Sequence, residues 1–176
     1  MITVNLEFKT PFAGVATVKS LTSSVVQGFF APKYIESEYA WEKVGNTFKL
    51  KFVSGKNTEK FFNGIYKTLS TYYSIKEDGS EMIDNNNEKY RVDFDFKDDF
   101  NGIAKVVKST NENGAASFET VAEYSWKRTE TKVICEQISA SFYPSADFNY
   151  KLTEIISERL STYYSVRDDK FFWIKD

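Results

Sequence analysis

Apolar and polar residues alternate from the start of the chain. Val4, Leu6 and Phe8 are separated by Asn5, Glu7 and Lys9, which is the period of a half-buried strand. Val92, Phe94 and Phe96 alternate with Asp93, Asp95 and Lys97 in the same way. Behind this second strand, Ile103, Val106 and Val107 recur at helical spacing, preceded by Asp98 and Asp99, either of which suits an N-cap. The spacing predicts a helix there, with Gly114 in the turn that ends it. It predicts a matching helix from Pro11 to about Val26, through Val15, Val18 and Val25. Asn101-Gly102 between apolar residues is also a hairpin cue. The corresponding Ala13-Gly14 lacks the asparagine, and helix is the preferred reading at both places. Two strands follow in each half. Tyr39 and Trp41 lead through a turn into Phe48, Leu50 and Phe52, and Tyr124 and Trp126 lead into Val133 and Cys135. Each half then closes on an amphipathic helix: Phe62, Ile65, Tyr66, Leu69 and Tyr73 in one, Phe148, Leu152, Ile155, Ile156, Leu160 and Tyr163 in the other, with Pro144 ahead of the second.

The halves are copies. VNLEFKTPFAGVATV (4–18) aligns with VDFDFKDDFNGIAKV (92–106), and Glu38-Tyr39-Ala40-Trp41 aligns with Glu123-Tyr124-Ser125-Trp126. Leu69-Ser70-Thr71-Tyr72-Tyr73-Ser74 recurs unchanged as Leu160-Ser161-Thr162-Tyr163-Tyr164-Ser165. Three collinear blocks define a tandem duplication. The reading assigns a first repeat to 1–79, a polar, Asn-rich linker to 80–89 and a second repeat to 90–176. A unit this small buries only about 60% of its unfolded surface, so the two repeats are expected to pack as one pseudo-twofold unit. The predicted class is α+β: two tandem strand–helix–strand–strand–helix repeats forming a six-stranded antiparallel sheet with four helices on one face.

Composition narrows the chemistry. The 176 residues include no histidine and a single cysteine, which excludes His-based triads, His-ligated metals, an intramolecular disulfide and a CxxC pair. Gly55-Lys56 lacks the preceding glycine of a phosphate loop. Asp93 and Asp95 fall on a solvent face and Asp98 and Asp99 at a helix start, so a solvated face plus a cap accounts for them better than a cation site. Cys135 takes the inward phase of its strand, as a small buried hydrophobe. No enzymatic activity, cofactor or metal is expected. The formal charge is −2, and the open sheet face mixes acidic and basic residues almost evenly, so nucleic acid is expected as a partner only indirectly. No apolar run reaches the roughly 18 residues of a membrane span, and the N-terminus does not resemble a signal peptide, so the expected location is cytoplasmic.

The aromatic content, 17%, is the remaining anomaly. Adjacent aromatic residues on a helix point about 100° apart and cannot share one core. Phe61, Phe62, Tyr66, Tyr72, Tyr73, Tyr163, Tyr164, Phe171, Phe172 and Trp173 are therefore candidates for a protein interface, with an internal interface between the repeats as the competing account.

The order of elements, with VDFDF leading into an IAKVV helix, then EYSW and TKVICEQIS strands and a long Leu/Tyr helix, resembles the small dimerisation subunit of the KEOPS complex (the CTAG/Pcc family). The likeness runs over nearly all of both copies, but it lies in pattern and spacing. Members are single-copy and self-associate, whereas this chain carries two copies, and the family's Arg and Asn-Ser positions are not clearly present. The resemblance implies a non-catalytic scaffold: a monomer with a built-in pseudo-dimer, binding protein partners through its helix faces in a complex that modifies transfer RNA. The alternatives are a helix-grip small-molecule carrier with an apolar cavity and an archaeal or viral structural protein that shares only the fold.

Overall fold

The computed structural model describes residues 1–26, 28–140, 146–169 and 172–174. Among these the chain forms β1 (Ile2–Thr10), β2 (Ala13–Val26), β3 (Phe29–Val44), β4 (Thr47–Ser54), α1 (Glu59–Tyr73), β5 (Ser80–Asn85), β6 (Glu88–Phe96), β7 (Asn101–Glu112), β8 (Ala115–Arg128), β9 (Val133–Ala140), α2 (Ala146–Arg167) and β10 (Phe172–Ile174). A short π-helical turn, Ser74–Asp78, joins α1 to β5. The ten strands make two antiparallel sheets of five, in the orders β10-β1-β2-β3-β4 and β5-β6-β7-β8-β9. The expected six-stranded sheet under four helices is therefore incorrect: strands dominate, and the described residues contain two α-helices.

Two elements per repeat account for the difference: one read as a helix is a strand, and one further strand, β5 or β10, was not expected. The segments read as helices, 11–26 and 98–113, are β2 and β7. Gly14, Ala16 and Val18 are buried in one and Gly102, Ala104 and Val106 in the other, with Val107 buried besides, a strand period that small residues conceal from a hydropathy pattern. Asp98 does cap, but it caps a turn. Its carboxylate accepts from Phe100 N at 2.7 Å, from Asn101 N at 3.0 Å and from the Asn101 amide. A helix N-cap and an Asx turn use the same short-range bond, so the residue alone does not distinguish them. With a strand in place of the IAKVV helix, the element order on which the KEOPS resemblance rested is absent, and nothing in the fold points to transfer-RNA processing.

The chain divides into two compact units, 1–72 with 164–176, and 73–163. The second unit is a continuous meander. The first is completed from the far end of the chain: β10 pairs with β1 through Ile2↔Ile174, Thr3↔Trp173 and Val4↔Phe172. The stretch read as a linker holds β5, which pairs with β6 in the equivalent place, around a two-residue turn in which Asn86 and Asn87 take φ of 50° and 64°. Positive φ at both central residues is the type I′ hairpin geometry that asparagine tolerates. Each helix is thus followed by a strand that enters the sheet of the other unit.

Both units repeat one core. Phe8 meets Trp41 edge-on at 5.0 Å and Tyr72 at 5.6 Å. Phe96 meets Trp126 at 4.9 Å and Tyr163 at 5.5 Å. Each tryptophan pairs across strands with a glycine, Trp41 with Gly14 and Trp126 with Gly102. A Cβ on Gly102 would overlap the Asp95 carbonyl and come within 2.6 Å of Trp126 Cζ2, which explains the residue. The buried faces of the helices, Ile65 and Leu69 in α1 and Leu152, Ile156 and Leu160 in α2, have no solvent exposure. The phenols of the sheets tie down the start of each helix: Tyr39 Oη donates to Asn57 Oδ1 at 3.1 Å, and Tyr124 Oη to Asn149 Oδ1 at 2.7 Å.

Candidate functional site

The aromatic residues nominated from sequence separate by environment. Phe61, Tyr72, Tyr73 and Tyr164 are buried, and their rings belong to the core. Tyr163 is half-buried against Phe96. Phe62 and Tyr66 remain accessible on α1, stacked on each other at 6.5 Å, and Tyr66 shares a hydrogen bond with Thr47. Phe172 and Trp173 supply backbone pairing to β1, and Phe171 lies outside the described residues. Tyr72 and Tyr73 are both buried although they are neighbours at the end of α1, which runs on into the π-helical turn without leaving helical geometry.

Two other surface features have more substance. The first is a pair of ribbons. In the first unit, β1 follows β2 as far as Ser20 and β4 follows β3 as far as Glu38. Among the described residues, 21–26 and 29–34 pair with each other alone and form a two-stranded arm beyond the sheet. On it Leu21 and Tyr34 are cross-strand partners, 50% and 61% exposed. The second unit has the same device. There β6 follows β7 to Lys108 and β9 follows β8 to Ala122, so 109–112 and 115–118 form an arm that carries Phe118, 62% exposed. The sequence signal for these arms was the excess length of the strand pairs around Gly28 and Gly114, which a helical reading of one member hid.

The second feature is a groove of about 490 Å³ on the open face of the second sheet. Its apolar walls are Met82, Val107 and Phe118, and its cations are Lys89, Arg91 and Lys108. Strand alternation puts Val107 on this face, opposite Arg91, and the register shift beside it leaves Val121 of β8 as the extra residue. The Arg91 guanidinium lies 5.4 Å from the centre of the Phe118 ring and is forked onto Asp93, through Nε at 2.7 Å and Nη2 at 3.1 Å. Glu88 accepts from the Tyr90 hydroxyl and from Lys108 at 3.0 Å, and these bonds hold its carboxyl below the usual range. The Tyr90 phenol is pushed up to about 12 by burial and by the same carboxylate.

No group of three or more potential metal ligands is found among the described residues. Cys135 is half-buried on the strand pair with Trp126, and burial, followed by Glu136, pushes its thiol up to about 12. A thiol held protonated is a poor nucleophile. No helix is long and apolar enough to cross a membrane among these residues.

No protein-family model matches the chain, and no curated protein matches it. Among solved structures it is similar to an NTF2-like protein involved in plasmid conjugation, at 10% sequence identity over 81% of this chain and 78% of the other. The TM-score is 0.19, too low for the likeness to carry an argument.

Proposed function

We propose that this chain is a non-catalytic protein-interaction module whose contact surface is the projecting β-arms. The observation that carries the reading is the Leu21–Tyr34 pair, two large side chains exposed side by side on a ribbon that no further strand among the described residues pairs with. A two-stranded ribbon alone is marginally stable in water, and exposed apolar pairs on it gain free energy when a partner covers them. The arm's outer backbone groups also offer ladder positions to an incoming strand. Helix faces are the weaker candidate surface, because most of their aromatic residues are used in the cores. A photo-crosslinking residue placed at Tyr34, in the source cells, is expected to give a discrete protein adduct that Leu21→Ser abolishes. Adducts from a crosslinker at Phe62 with none from Tyr34 would move the surface to α1 and sink this reading.

A further inference from the structure

The groove on the second sheet is a different surface from the apolar pair on the first arm, and it has the features of a small-molecule site. We propose that it binds an amphipathic organic anion: a carboxylate carried on an aliphatic or aromatic body. Its volume, about 490 Å³, lies within the roughly 300–1,000 Å³ of small-ligand pockets. β6 beneath it already pairs on both sides, Arg91 with Met82 and with Val107, so along β6 an occupant is recognised by side chains and not by a backbone ladder. Those side chains fall into two sets. Met82 and Phe118, both more than half exposed, and the Val107 floor would cover an apolar body. Lys89 and Arg91 would face the charged end, while Lys108, opposite the buried Tyr90, is held by Glu88.

The charge balance of the lining favours an anion. Its one carboxylate, Glu88, is already engaged by Tyr90 and Lys108. Lys89 has no hydrogen-bond or ion-pair partner among the described residues. Arg91 spends Nε and Nη2 on Asp93, which holds the guanidinium flat beside Phe118 and leaves Nη1 to donate. The internal repeat supplies a control. Tyr90↔Lys108 in the second sheet corresponds to Ile2↔Ser20 in the first, so Lys89, Arg91 and Lys108 correspond to Met1, Thr3 and Ser20. The duplicated scaffold is common to both sheets, and the three cations are present in one.

Decanoate titrated into the full chain, followed by calorimetry and by amide chemical shifts, tests the site. Saturable binding at one site is expected, with shifts at Met82, Arg91 and Phe118, and with decanol at least tenfold weaker. Lys89→Glu is expected to weaken decanoate about tenfold while leaving decanol unchanged. Phe118→Ser is expected to weaken both, and Leu21→Ser neither. Absence of saturable decanoate binding, or binding that Lys89→Glu and Phe118→Ser both leave intact, would overturn the proposal. Because both substituted residues are exposed, unchanged thermal unfolding of the variants separates loss of the site from loss of the fold.

Discussion

The ring of Phe96 stands 4.9 Å from that of Trp126 at an interplanar angle of 69°, and Trp126 in turn lies across Gly102. The same three residue types occupy the same places in the first unit as Phe8, Trp41 and Gly14. Gly102→Ala is therefore expected to be destabilising out of proportion to one methyl group. Overpacking of this kind costs about 1–3 kcal/mol. Thermal unfolding by circular dichroism should show a lowered midpoint, and an unchanged one would mean that the tryptophan ring is free to move aside.

Glu81 and Arg159 form an ion pair inside the second unit, at 3.5 Å, with the Glu81 side chain only 10% exposed. Removing one partner of such a pair leaves a charge without its counterpart and costs about 3–5 kcal/mol, whereas replacing both with apolar residues is often neutral. Arg159→Leu is expected to lower the urea midpoint sharply, and Glu81→Leu combined with it to recover most of the loss. Equal loss in the single and double variants would show that the pair adds little.

Alkaline conditions should loosen the second unit. Burial, with Cys135 as the secondary cause, pushes the Tyr124 phenol from 10.0 to about 12, and burial pushes the Cys135 thiol from 9.0 to about 12. Both groups are neutral when protonated, so a folded pKa above the unfolded value means that the folded state holds the proton more tightly. Their contribution is complete below the unfolded values and is lost as pH rises through the folded ones. Stability is expected to fall between about pH 9 and 12. Cys135→Ala should delay the onset, as followed by the urea midpoint across that range, and an unaltered onset would remove the thiol from the account.

Because the second unit is continuous in sequence, a fragment spanning 73–169 carries every strand of its sheet, whereas a fragment of 1–79 lacks β10 and leaves β1 as an uncovered edge. The first fragment is expected to unfold cooperatively as a monomer, and the second to self-associate or remain unfolded. Sedimentation and thermal melts of the two fragments decide the matter; equal behaviour would show that the closing strand contributes little.

Much of this architecture can be read from the chain. The alternation in Val4-Leu6-Phe8 and its copy locates β1 and β6, the Tyr-x-Trp strands fall in β3 and β8, and the closing helices lie where their apolar spacing puts them. The duplication was legible because equivalent residues do equivalent work in both units, down to the tyrosine–asparagine bonds at the helix starts. The candidate surface was hardly legible. Exposed aromatics and core aromatics look alike in a sequence, and Tyr72 and Phe118 differ only in what the fold places over them.

Local order alone determined the repeats, the half-buried strands and the amphipathic helices, because each depends on residues within a few positions of one another. Tertiary structure decided the rest. Whether Ile103-Ala104-Lys105-Val106 coils or extends depends on neighbouring strands that satisfy its backbone groups, supplied around Phe94 and Tyr124, ten and twenty positions from Ala104 and beyond the reach of a helical turn. Ser80–Asn85 reads as a polar connection until β6 pairs with it, and the three residues of β10 acquire their role from β1, some 170 positions earlier. A strand's free energy lies in its partners, and those partners are not recorded in its own residues.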